Sequence, residues 1–179
     1  MKLFTVMAAL AASALCSATS LAAPDDFTTG PLIEGYGAVA PVSNQMPIPD
    51  GTVFRVAFDL SRPAEVGEVN RKLDSAARFL NMHIAAGIPE EDLHIALVVH
   101  GGAVEDVTTG SHFMPGMEPA NAELVARLIE HGVRIYVCGQ SAVYHDIEVE
   151  DLMPGVTMAL SAMTAHALLQ QDGYTLNPF

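Results

Sequence analysis

The sequence contains no tryptophan, and only 6% of its 179 residues are aromatic. A core built around large rings is therefore excluded. The interior has to be assembled from Ala, Val, Leu, Ile and Met, in a chain that is half hydrophobic and so able to fold. Basic residues are almost as scarce: eight Lys and Arg stand against 21 Asp and Glu, for a formal charge of −13. Such a surface repels nucleic acid and anionic lipid, which excludes both as partners. The two cysteines, Cys16 and Cys138, form no Cys-x-x-Cys pair and no disulfide framework. There is no Gly-x-Gly-x-x-Gly and no P-loop, and the run from Val99 to Ala103 (VHGGA) is too short for a phosphate site. No cofactor is expected.

What is present begins with a leader. Lys2 is followed by an apolar run from Leu3 to Leu15 and then by small residues, the layout of a secretory signal peptide. Ser20-Leu21-Ala22 places small residues where a signal peptidase reads them, so residues 1–22 are expected to be removed by a cut before Ala23, in preference to one before Pro24. The apolar run is too short to span a bilayer comfortably. Cys16, preceded by Leu15 rather than a small residue, matches a lipoprotein site poorly and leaves with the leader. The expected location is periplasmic or secreted, and Cys138 becomes the only thiol. An unpaired thiol in an oxidising compartment is a liability unless it is buried or used.

Residues 23–50 are rich in Pro, Gly and Thr and read as an extended arm. The domain proper is expected over 51–179. "TVFRVAFDL", "LHIALVVHGG", "VRIYVCG", "VTMALS" and a short "YTL" read as strands. Between the first two, Val66, Val69, Leu73, Ala76, Ala77, Leu80 and Ile84 recur at helical spacing until Gly87. "EPANAELVARLIEHG" and "AMTAHALLQQDG" read as further helices, and "QSAVYHD" as one or two helical turns. Strands that are apolar throughout and alternate with helices predict a three-layer α/β sandwich around a mainly parallel sheet of about five strands.

In such a sheet, ligands bind beyond the carboxyl ends of the strands. Asp59, His100 with Gly101 and Gly102, Cys138 with Gly139 and Gln140, and Ser161 stand at the four expected ends. Cys138 meets His100 if the second and third strands are neighbours. Backbone N–H groups of a helix starting after Cys138 would favour the thiolate, as would a nearby imidazole. Cys138 and His100 are thus the candidate reactive pair, with Gly101, Gly139, Gln140 and Ser161 as candidate substrate contacts. The competing reading is a buried cysteine acting as a small hydrophobe.

"FRVAFDLS", "ARFLNMHIAAG", "IALVVHGGA", "GVRIYVCGQSA" and "LMPGVTMALSAMTAHALLQQDGY" together resemble the DsrE/DsrF-like family, from about Val53 to Tyr174. The most specific element is Gly-Val-x-Ile-x-Val-Cys-Gly at 132–139, supported by Leu-x-Pro-Gly-Val at 152–156. The resemblance implies a flavodoxin-like domain that assembles as a homotrimer or homohexamer. It also implies a persulfide on the cysteine matched by Cys138. The leader and the arm depart from the sulfur-relay members, which are cytoplasmic. With no resolving thiol, bound sulfur must leave to another molecule, which suits a carrier rather than a disulfide oxidoreductase.

The segment "TTGSHFMPGMEP" supports a rival. His112, Met114 and Met117 are soft ligands suited to copper(I), in a non-catalytic metal binder. Its alternative is a lid, the loop from Val104 to Pro119, over the sheet rim. Asn70 and Asn81 are expected to serve surface or interface hydrogen bonds. His166 is expected to be solvated or partly packed. His83, His94, His131 and His145 show no ligand spacing.

Overall fold

The computed structural model describes residues 26–110 and 118–178. The expected leader and the proposed copper ligands His112, Met114 and Met117 lie outside the described residues. Five strands, β1 (Phe54–Leu60), β2 (Leu93–Val99), β3 (Arg134–Cys138), β4 (Val156–Ala159) and β5 (Thr175–Asn177), form one sheet in the order β4-β3-β2-β1-β5, every pair parallel. Four helices join them: α1 (Arg71–Ala85), α2 (Ala122–Glu130), α3 (Gly139–Tyr144) and α4 (Ala162–Gln171). The three layers are those expected. The strand order is not the 2-1-3-4-5 of flavodoxin, because β1 is flanked here by β2 and β5.

That order decides where the helices lie. The steps β1 to β4 all move one way across the sheet, so right-handed crossovers put α1, α2 and α3 on one face. The return from β4 to β5 crosses back and puts α4 on the other. The buried clusters follow this division. Val56, Phe58, Leu60, Ile95, Leu97, Val99, Ile135 and Val137 pack with Leu73, Leu80, Leu124, Leu128 and Ala142. Ala57, Ala96 and Val98 face α4 with Ala165, Leu169 and Tyr174. Small residues under α4 and larger ones opposite account for a core without tryptophan.

Several expectations are corrected. Helix α1 starts at Arg71, not near Val66, because the Asn70 side chain accepts the Lys72 N–H at 2.8 Å and caps it. Val66 is exposed, outside the helix. Strand β4 stops at Ala159, because Ser161 is the cap of α4 and its hydroxyl oxygen accepts the Thr164 N–H at 3.0 Å. The segment before β1 packs on the domain around Ile33, whereas residues 41–47 are exposed. Ile33 is fully buried in the main core. Asn81, also fully buried, accepts the N–H groups of Leu32 and Ile33 at 3.1 and 2.8 Å and donates to the carbonyls of Ile33, Tyr36 and Gly37. A side-chain amide offers two donors and two acceptors, so one asparagine can anchor a whole turn of unpaired backbone. Asn70 and Asn81 therefore work inside the molecule and not at its surface.

Among the described residues, no helix is long and apolar enough to cross a membrane.

Candidate functional site

Side chains alternate between the two faces of a strand. Ala57, Val98 and Tyr136 lie on the α4 face. Two residues further on, Asp59, His100 and Cys138 share that face at the carboxyl rim. Three adjacent strands supply them. Val99 stands opposite Val137 in the β2–β3 register, so His100 and Cys138 are opposite one another, on strands about 4.8 Å apart. His100 is still extended, and its N–H bonds to the Leu60 carbonyl at 2.9 Å.

Cys138 is 6% exposed. Burial opposes its ionisation. Hydrogen bonds from the Ser141 hydroxyl and from the backbone N–H groups of Ala162, Ser141 and Gln140 outweigh burial and hold the thiol below its ordinary range. Ser141 is fixed in turn, its Oγ accepting the Gly101 N–H at 3.0 Å. Two helices thus point first-turn amides at one sulfur: α3, which begins at the next residue, and α4, whose first residue is Ala162.

The expected contacts take different places. Gln140 offers its backbone N–H to the sulfur, while its side chain donates to the Leu160 carbonyl at 3.4 Å. Gly101 has φ +57° and holds Ser141. Gly139 allows close packing: a Cβ there would stand 2.7 Å from the Ala159 carbonyl oxygen and 3.3 Å from that of Leu160. Ser161 caps α4. His100 is not among the groups that lower the thiol's pKa. Its Nε2 bonds to both carboxylate oxygens of Asp59, at 3.0 and 3.1 Å. Ser141 and the helix amides are the groups that favour the thiolate, while His100 is held on Asp59.

Asp59 has a second imidazole. His166 Nε2 lies 2.9 Å from the same oxygen, Oδ1, that His100 meets. Burial raises the Asp59 pKa, but the two histidines lower it further, so the net shift is downward. The Nδ1 atom of His166 is buried and has no hydrogen-bond partner among the described residues. His166 is therefore the partly packed histidine of the two expected readings, and it joins the rim. Ser141 and His166 were missed for one reason: neither lies at a strand end. Ser141 left a trace, since a residue three places beyond Cys138 on a helix comes back beside it.

The loop expected to gate the site is fixed over its first part. Val104 and Val107 are fully buried, and Thr108 pairs with Leu152. An open groove of about 990 Å³ runs from Asp59 past Arg62 to the start of α1 and to Pro178. Asp59 is on its wall, whereas Cys138 is not. Of the other histidines, His131 pairs with Glu90 at 2.9 Å, His145 with Glu105 at 3.1 Å, and His83 stacks on Phe79 at 3.9 Å. Among the described residues, no group of three or more His, Cys, Asp and Glu is arranged to hold a metal ion.

Fold and rim together define a single-thiol α/β domain with the cysteine at the end of a central strand. The chain belongs to the DsrE/DsrF-like family, whose model matches residues 57–178. Among solved structures, it is similar to the protein of unknown function MTH1491 from Methanobacterium thermoautotrophicum, with 19% identity and a TM-score of 0.55, over 70% of this chain and 99% of that one. The ychN protein from E. coli gives 15% identity and a TM-score of 0.47, over 71% and 100% of the two chains. No curated protein matches the chain significantly.

Proposed function

We propose that the protein carries sulfane sulfur as a persulfide on Cys138, after export from the cytoplasm. The observation behind this reading is the sulfur's surroundings: one hydroxyl and three backbone N–H groups converge on it and favour the thiolate. A thiolate is the species that attacks a sulfane sulfur. Cys138 is the one free cysteine among the described residues, so the sulfur would pass onward to an acceptor molecule or protein. Family membership supports sulfur chemistry at this cysteine, and the leader-like first 22 residues support export.

The same reading includes assembly with further copies of the chain, as a homotrimer or homohexamer. Tyr144, Leu160 and Met163 are 83%, 73% and 80% exposed on α3, after β4 and on α4, close in sequence to the thiol's own helices. Large apolar side chains left this exposed are available to a protein interface. Sedimentation of the native chain and of Leu160→Asp tests this part, and a wild-type monomer would refute it.

The deciding experiment is intact mass before and after treatment with an alkyl persulfide, beside Cys138→Ser. The expected result is a gain of whole sulfur atoms that reductant removes and the variant lacks. An unmodified wild-type chain whose Cys138 nevertheless reacts with iodoacetamide would refute carriage.

A further inference from the structure

At the rim, Asp59 Oδ1 accepts from two imidazoles at once: His100 Nε2 at 3.0 Å and His166 Nε2 at 2.9 Å. The arrangement has a direction. His166 comes from α4, its Nδ1 is sealed from solvent without a partner among the described residues, and its Nε2 bonds to Asp59. A ring held this way orients the carboxylate and has no outlet for a proton on its far nitrogen. The His100 side chain is 31% exposed, stands opposite Cys138 on the neighbouring strand, and has its Nε2 fixed by both Asp59 oxygens. Fixing one ring nitrogen on a carboxylate sets the tautomer and leaves the other nitrogen for proton exchange.

We infer that His100 is the acid that protonates the departing group when Cys138 takes sulfur, and that Asp59 and His166 are positioning residues acting through it. The inference rests on the carrier reading above and assigns roles within it. With an alkyl persulfide donor, the Cys138 thiolate attacks the terminal sulfur of R–S–SH. The new S–S bond forms at Sγ while the donor's S–S bond breaks. The departing RS⁻ takes the proton of the His100 imidazolium, giving Cys138–S–SH, RSH and neutral His100. Sγ is oxidised by one electron equivalent and the donor's RS sulfur is reduced by one, so no outside oxidant is required. The division of labour matches the geometry: the sulfur is held as thiolate by Ser141 and the amides, which leaves the imidazole free for the leaving group. Asp59, the carboxylate that holds His100, stands on the wall of the open groove.

A positioned acid matters most for a strongly basic leaving group. Loading of Cys138 is therefore followed by intact mass with two donors, for wild type, Asp59→Asn, Asp59→Glu and His100→Gln. Cysteine hydropersulfide expels a thiolate. Disodium tetrasulfide expels a trisulfide dianion, a weaker base, and transfers sulfur as Cys138–S⁻ + S₄²⁻ → Cys138–S–S⁻ + S₃²⁻. Asp59→Asn and His100→Gln are expected to slow loading from the hydropersulfide roughly a hundredfold or more and to change its pH profile. Loading from tetrasulfide and alkylation by iodoacetamide stay within about twofold of wild type, since neither needs the acid. Asp59→Glu is expected to recover part of the loss. The titratable groups around His100 are Asp59 from β1, His166 from α4 and Cys138 from β3, so the profile of wild type is compared with those of the three variants. Equal slowing with both donors, or none with either, would overturn the assignment and leave the carrier reading in place. Failure of wild-type Cys138 to load from either donor would remove the carrier reading and this assignment with it.

Discussion

The Ser141 hydroxyl oxygen accepts the Gly101 N–H at 3.0 Å, and the same hydroxyl favours the thiolate of Cys138. One side chain thereby ties the segment after β2 to the helix after β3 and contributes to holding the thiol's pKa down. Ser141→Ala removes the side-chain donor and leaves the three amides. The midpoint of alkylation against pH is expected to move up, and alkylation at pH 7 to slow roughly tenfold or more, the worth of one charge-assisted hydrogen bond. Iodoacetamide kinetics over a pH series checks this. An unmoved midpoint would show that the amides alone set it.

Gly139 has backbone carbonyls where a side chain would have to go, at 2.7 and 3.3 Å from a built Cβ. Neither is the far end of a flexible chain that can swing away. Gly139→Ala is expected to cost about 2 kcal/mol, in the range of overpacked positions. It should also push β4 and the start of α4 away from the sulfur. Urea unfolding measures the first effect. The alkylation midpoint measures the second, which is expected to rise as the Ala162 N–H withdraws.

Asn81 satisfies two N–H groups and three carbonyls of the turn at 32–37. Truncation would strand them beside a core that includes Ile33. Asn81→Ala is expected to destabilise the domain by roughly 2–4 kcal/mol and to speed hydrogen exchange at Leu32 and Ile33. Full exchange protection in the variant would mean that Ile33 and the backbone pair of Thr28 with Val39 hold the segment by themselves.

The Asp59 carboxylate is favoured by the fold, despite its burial, because two imidazoles hydrogen-bond to it. A depressed carboxyl pKa adds stability that is fully present above the unfolded value of about 3.9 and is lost as pH falls through the folded value. Wild type is thus expected to exceed Asp59→Asn in stability above about pH 4, with the two curves converging as the pH falls further. The depressed pKa of buried His83 acts equally in both proteins and cancels in the difference. Urea midpoints from pH 6 to 2.5 give the comparison. Parallel curves would show that the two histidines do not hold the charged form.

Much of this protein was determined by the order of its residues. Apolar runs such as "LHIALVV" between amphipathic helices can be satisfied only by a covered parallel sheet, and a cysteine ending one run has to stand at the rim. The position of Cys138 and its pairing with the level of His100 follow from period and topology, because both depend on short-range alternation. Other features depend on residues far apart in sequence. Asp59 and His166 are 107 positions apart, and nothing local marks them as partners. They meet because the last crossover returns over the opposite face of the sheet and packs α4 against it. In the same way, Asn81 looked like a surface amide until the turn at 32–37 was placed against it. Hydrophobic period reports which side of an element is buried. It does not say which polar group arrives to be buried with it, and that is decided only when the layers close.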